Sequence, residues 1–180
     1  ENITFESSSK ITSLNTTIFD NCNQIKNVKF EANSGLTILA EGIFDEQDLV
    51  FRTEQLNAFL DEASQQYGFD RSNMVAIGYS NGANIAASLL FHFNDVLKGA
   101  ILHHPMVPRR GIELPDLAGT SVFIAAGTND PICPARESEE LQTILHQAGS
   151  VVDIYWEEFG HSLTRSEIEE AAKWYRENFE

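Results

Sequence analysis

Cysteine is scarce: Cys22 and Cys133 are the two in 180 residues, and neither has a Cys-x-x-Cys partner. That argues against a disulfide-stapled scaffold and against a zinc site, and it makes a reducing compartment the expected setting. Basic residues are also few, 12 Lys and Arg against 27 Asp and Glu, for a formal net charge of −15. So acidic a chain is a poor partner for phosphate backbones or anionic lipid, and no nucleic-acid partner is expected. Neither a run of about 18 apolar residues nor a basic segment leading into an apolar core occurs, so no membrane insertion is expected and the expected location is cytoplasmic. Two Asn-x-Thr triplets, Asn2-Ile3-Thr4 and Asn15-Thr16-Thr17, leave a secreted origin open. Much of the acid lies in Glu137 to Glu140 and Glu167 to Glu170, which read as solvated first turns of helices.

What the chain does have is Val75-Ala76-Ile77-Gly78-Tyr79-Ser80-Asn81-Gly82-Ala83-Asn84-Ile85-Ala86-Ala87. A β-prone run enters Gly-Tyr-Ser-Asn-Gly and leaves as an Ala-rich helix former, the context of a Gly-x-Ser-x-Gly nucleophile elbow. At such a turn the serine backbone is strained, and Gly78 and Gly82 are expected to spare it Cβ collisions. Ser80 then stands at the carboxyl end of a strand, with the N–H of Asn81 able to point at an approaching oxygen.

Residues 1–34 are rich in Ser, Thr and Asn, with short β-prone pieces at Ile3–Phe5, Thr17–Phe19 and Val28–Phe30. Leu36–Ala40 reads as a strand. From Asp45, a capping residue, the spacing of Leu49, Leu56, Phe59, Leu60, Ala63 and Tyr67 predicts a helix. Strands then follow at Met74–Ile77, Gly99–His103, Ser121–Ala126 and Val151–Trp156. Helices are expected after Ser80, over Ala135–Gln147 with Gly149 as left-handed cap, and over Thr164–Phe179. Thr164-Arg165-Ser166-Glu167 reads as a capping box, with Ile168, Ala171, Ala172, Tyr175 and Phe179 as the buried stripe. Apolar strands alternating with amphipathic helices predict one α/β domain over 1–180, a mostly parallel central sheet with helices on both faces.

Ser80 needs a base, and the base needs a carboxylate to orient it. Asp130 follows the strand ending at Ala126 and His161 follows the next, so loops after parallel strands carry all three to one sheet edge. The order Ser80, Asp130, His161 is that of α/β-hydrolases. His103 and His104, adjacent at a strand end, are expected to point to opposite faces and to line a pocket or pack, with no metal between them. His92 and His146 read as surface residues. Tyr79, His104, Met106, Val107 and Pro108 are candidate walls of a substrate pocket.

From about Glu41 to Phe179 the chain resembles the phospholipase/carboxylesterase branch of the α/β-hydrolase superfamily. The resemblance rests on Gly42–Glu46, Ala76–Ala83, His103–Pro108, Ala126–Pro131 and Gly160-His161. It implies a three-layer sandwich with a hydrolase core over 35–180 and an atypical segment over 1–34. It also implies a cofactor-free esterase for small carboxylic esters, working through Ser80, Asp130, His161 and an acyl-serine. Relatives of this kind carry His-Gly in the oxyanion loop, and no His-Gly occurs here. Asn81 supplies one oxyanion donor. For the second, either Leu36–Ala40 and Glu41-Gly42-Ile43 replace that strand and loop, making Ile43 the donor, or Gly42–Glu46 matches a later segment and the loop is missing. Loss of one donor costs about 10²–10³ in turnover. Two other functions follow from this departure or from the branch: an impaired relative serving as a binding module, and a thioesterase or lysophospholipase. An altered amino end would also leave sheet surface open to homodimerisation.

Overall fold

In the computed structural model the described residues are 2–5, 13–14, 27–30, 38–39 and 46–180. The chain divides into two compact units, residues 1–50 and 51–180. In the first, β1 (Asn2–Phe5) pairs in parallel with β3 (Asn27–Phe30), and β2 (Ser13–Leu14) with β4 (Ile38–Leu39). The β-prone piece at Thr17–Phe19, the Asp45 cap and the Ile43 donor lie outside the described residues.

The second unit holds a four-stranded parallel sheet in the order β5-β6-β7-β8, formed by Val75–Tyr79, Gly99–His103, Ser121–Gly127 and Val151–Glu157. α1 (Glu46–Tyr67) runs into this unit, and α2 (Asn81–His92), α3 (Ala135–Gln147) and α4 (Arg165–Phe179) alternate with the strands. Side chains of successive strand residues alternate between faces. Leu102, Val122, Ile124, Ala126 and Val152 therefore pack with α2, α3 and the α1 residues Leu56 and Leu60. Ile101, Phe123 and Ala125 face the other way, against Ala171 and Trp174 of α4. This is the expected α/β sandwich with helices on both faces. No helix among the described residues is long and apolar enough to cross a membrane.

Register positions the candidate residues. Tyr79, His103, Ala125 and Tyr155 are successive partners across the sheet, so β5 and β6 end on one row while β7 and β8 run two residues beyond it, to Gly127 and Glu157. Ser80 and His104 each follow that line by one residue, and the loops after β7 and β8 carry Asp130 and His161 back to it.

Three burial expectations need correction. On α4 the inward residues are Glu167, Ala171 and Trp174, while Ile168 is 47% exposed and Ala172 is exposed. The stripe is turned by about one residue because Glu167, hydrogen-bonded to His103 and His104, takes the inward place expected of Ile168. On α1, Thr53 and Ala63 are buried and Phe59 and Tyr67 are exposed; Thr53 shares a buried hydroxyl bond with Ser88. Glu137 is likewise no solvated acid. It is buried, bridged by Arg110 at 2.8 Å and accepting the Val107 N–H at 3.1 Å, which ties the loop after β6 to α3.

Candidate active site

Ser80 sits between β5 and α2 with φ 52° and ψ −116°, a backbone that non-glycine residues avoid. It occupies the helix N-cap position, yet its hydroxyl caps nothing. Its N–H donates to the His103 carbonyl at 2.8 Å, which fixes the turn against β6. A Cβ at position 78 would fall on the Gly82 carbonyl and the Ala83 nitrogen, so the chain can double back only over a glycine there. Gly82 differs from expectation: a Cβ there meets nothing among the described residues. Asn81 opens α2, whose first N–H groups lack intrahelical acceptors and form the positive end of the helix dipole.

Asp130 is held by its own turn. Its Oδ1 accepts the N–H groups of Ile132 and Cys133 at 2.8 and 2.9 Å, leaving Oδ2 to face the imidazoles. Gly127 ends β7 directly under the loop that carries His161; a Cβ there would meet the Phe159 carbonyl oxygen, and the Gly160 carbonyl oxygen at 2.7 Å. The same loop is braced by the Thr128 N–H donating to the Glu157 carbonyl at 2.8 Å and by the Tyr79 hydroxyl donating to the His161 carbonyl.

The three groups converge. The Ser80 hydroxyl lies 2.9 Å from His161 Nε2, and His161 Nδ1 lies 2.7 Å from Asp130 Oδ2. The same oxygen meets Nδ1 of His104 at 2.9 Å. Nε2 of His104 then meets Glu167 Oε2 at 3.2 Å, and Glu167 Oε1 accepts from His103 Nδ1 at 2.5 Å. Burial alone would raise the Asp130 carboxyl, but bonds from Cys133, His161, Ile132 and His104 outweigh it and hold its pKa below the usual value. Burial would also raise Glu167, yet His103, His104 and the Thr164 N–H bring it down to about 2. For His104 burial works downward, and the bonds to Glu167 and Asp130 overcome it and raise its pKa. Burial, with the charges of Asp130 and Glu137, pushes the Cys133 thiol up to about 12, so it is no nucleophile at neutral pH.

The dienelactone hydrolase family model matches residues 37–178, a span that takes in Ser80, Asp130 and His161. The chain belongs to the dienelactone hydrolase family. Among the relatives of this family member, "Putative hydrolase MhqD" of Bacillus subtilis (strain 168) is 60% identical over 134 residues, 74% of this chain and 67% of that protein. The crystal structure of the Bacillus cereus carboxylesterase is 66% identical with a TM-score of 0.76, over 78% of this chain and 66% of that one. A carboxylesterase from Mesorhizobium loti is 27% identical with a TM-score of 0.68, over 74% and 63%. The chain thus spans about two thirds of the length of each of these relatives.

For this dienelactone hydrolase family member, the placement of the other anticipated residues is mixed. His104 is 1% exposed with both ring nitrogens engaged, so it lies beneath the Ser80 row rather than on a pocket wall. The expectation that His103 and His104 point to opposite faces fails. His104 has φ 52°, and the left-handed turn swings its ring to the Glu167 that His103 also contacts. Alternation holds only while the backbone stays extended. Tyr79 is 40% exposed beside the Ser80 row, its ring centroid 5.4 Å from that of His161. The Met106 N–H donates to Asn84 Oδ1 at 2.8 Å, Met106 and Pro108 are half-buried, and Val107 is buried. His146 is exposed as expected, whereas His92 is half-buried with Nδ1 2.8 Å from the Ser88 carbonyl.

His104, Asp130 and His161 bring metal-type ligand atoms within 4.8 Å of one another. Both imidazoles spend Nδ1 on the one Asp130 oxygen, however, so the grouping is a hydrogen-bonded set with protons where a cation would have to sit. Sequence reasoning missed Glu167 as a member of this set. Its capping-box position was visible, but the two histidines that it meets are 63 and 64 residues away.

Proposed function

We propose that the protein is a serine carboxylesterase that cleaves small carboxylic esters through an acyl-serine. The observation that carries the reading is His161, whose Nε2 is 2.9 Å from Ser80 Oγ while its Nδ1 is 2.7 Å from a buried carboxylate. In this reading Ser80 Oγ attacks the ester carbonyl carbon as its proton passes to His161 Nε2, and Asp130 holds the tautomer and stabilises the imidazolium. The carbonyl oxygen gains a negative charge and is met by the N–H of Asn81 at the start of α2. Collapse expels the alkoxide, which takes the proton from His161. Water, deprotonated by His161, then attacks the acyl carbon, and as the carbon–Ser80 Oγ bond breaks His161 returns that proton to Oγ, freeing Ser80 and the carboxylic acid. The likeness to the Bacillus cereus and Mesorhizobium loti carboxylesterases favours esters over other acyl compounds.

The test is labelling by a fluorophosphonate alongside turnover of p-nitrophenyl acetate and butyrate. Ser80 is expected to carry the label, and Ser80→Ala to remove both labelling and turnover. Turnover that survives Ser80→Ala sinks the reading. Side-by-side rates on short esters, acyl-CoA and lysolipid place the substrate class, with esters expected to be fastest.

A further inference from the structure

Behind Ser80 and His161 the hydrogen-bond chain continues inward through Asp130 to His104 and Glu167, and acyl transfer through Ser80, His161 and Asp130 makes no use of the last two. Both ring nitrogens of His104 face carboxylate oxygens, at 2.9 Å from Asp130 and 3.2 Å from Glu167. A neutral imidazole has one N–H, so one of these contacts would oppose two lone pairs. Moving the proton to a carboxyl is disfavoured by what each carboxyl already accepts. Asp130 takes bonds from Ile132, Cys133 and His161, and Glu167 takes them from His103 and the Thr164 N–H. Both carboxyl side chains are 0% exposed, and an uncompensated pair of buried carboxylates would be costly.

We propose that His104 is a positioning residue, held as an imidazolium between Asp130 and Glu167, that shares the oxygen orienting His161 and so sets the pH range in which His161 acts as a base. Glu167 is its anchor. The proposal rests on the Ser80–His161–Asp130 reading above.

With the proton in place, Asp130, Glu167 and His104 together carry one net negative charge. That is one charge for the one positive charge that His161 gains during attack. The titratable groups around His104 are Asp130 after β7, Glu167 on α4, His103 on β6, His161 after β8 with its ring 5.2 Å away, and Tyr79 on β5 at 5.8 Å. Glu157 at the end of β8 reaches the start of α4 through Thr164 and Ser166. The raised pKa of His104, won by its two carboxylate bonds against burial, agrees with this charge state. Removing the cation while keeping a donor to Asp130 leaves the Asp130 charge more fully available to His161. The imidazolium of His161 is then easier to form, and the acid limb of activity moves to higher pH.

The experiment has two arms. Long-range ¹H–¹⁵N spectra of the unsubstituted protein at pH 7, with His104 assigned through bonds from its own backbone resonances, are expected to show N–H on both of its ring nitrogens. A His104 with one N–H overturns the proposal, and this arm stands even where a variant fails to fold. In the second arm, His104→Asn is expected to raise the acid limb of kcat/KM for p-nitrophenyl butyrate by about one pH unit, the scale of one nearby charge. Glu167→Gln, which takes away the carboxylate that keeps His104 protonated and so discharges it in part, shifts the limb the same way by less, and adding it to His104→Asn brings no further rise. A uniform loss of rate with an unmoved limb marks a merely structural role and overturns the proposal. Failure of the underlying reading looks different: turnover survives Ser80→Ala while the spectrum of His104 is unaffected.

Discussion

Gly127→Ala tests whether the β7 end and the His161 loop are as tightly joined as their geometry requires. A Cβ at position 127 would stand 2.7 Å from the Gly160 carbonyl oxygen and closer still to that of Phe159, with Asp130 Cβ at 3.3 Å. All but the last are backbone atoms, so no flexible side chain can yield. Gly127 is absent from the positive-φ glycines, and alanine is therefore not excluded by the dihedral itself. The loop must retreat by about 1 Å to restore ordinary carbon–oxygen separation. A displacement of that size at a group two residues from the contact costs about 10²-fold in turnover. Forced packing of this kind also costs about 1–3 kcal/mol of stability. The assay is kcat/KM on p-nitrophenyl butyrate with thermal unfolding measured in parallel. Turnover within twofold of the unsubstituted protein at an unchanged Tm would refute the reasoning, because it would mean that the His161 loop floats free of β7.

The two glycines of the elbow should separate cleanly: Gly78→Ala, which meets backbone, is expected to lose about 1–3 kcal/mol by chemical denaturation. Gly82→Ala is expected to be neutral or stabilising by up to about 1 kcal/mol, since helix propensity favours it and nothing described stands in its way. Stability should also fall on both sides of neutral pH. Glu167 is depressed from 4.5 to about 2 in the folded protein, so its contribution is full above 4.5 and drains away as pH falls toward 2. The raised pKa of His104 gives a contribution that is full below 6.5 and fades as pH rises through the folded value. Urea midpoints across pH 3 to 10 check both slopes, and in Glu167→Gln the acid slope should be shallower.

How legible the molecule was depends on whether a feature is local. The α4 capping box is formed as expected, Thr164 Oγ1 accepting the Glu167 N–H at 3.2 Å while the Glu167 carboxylate accepts the Thr164 N–H, because all its parts lie within four residues. Gly149 takes the left-handed conformation expected after α3. The strands were marked by their apolar runs, and the spread of Ser80, Asp130 and His161 over three strand-end loops could be read from order alone. Features that need two distant segments were invisible. Glu167 looks like a solvated acid until His103 and His104 arrive from β6, and Glu137 likewise until Arg110 does. The phase of α4 was misjudged for the same reason, since hydropathy ranks Ile168 above the glutamate that actually points inward.

The unbroken parallel ladder from β5 to β8 has a consequence for how such a scaffold changes. The three converging side chains stand beyond their strands, one residue past β5 at Ser80, three past β7 at Asp130 and four past β8 at His161. Lengthening or rewriting the overhanging segments would alter reach and selectivity while the pleated platform underneath keeps every rung of its ladder. New specificities can therefore be tried at the rim without renegotiating the foundations.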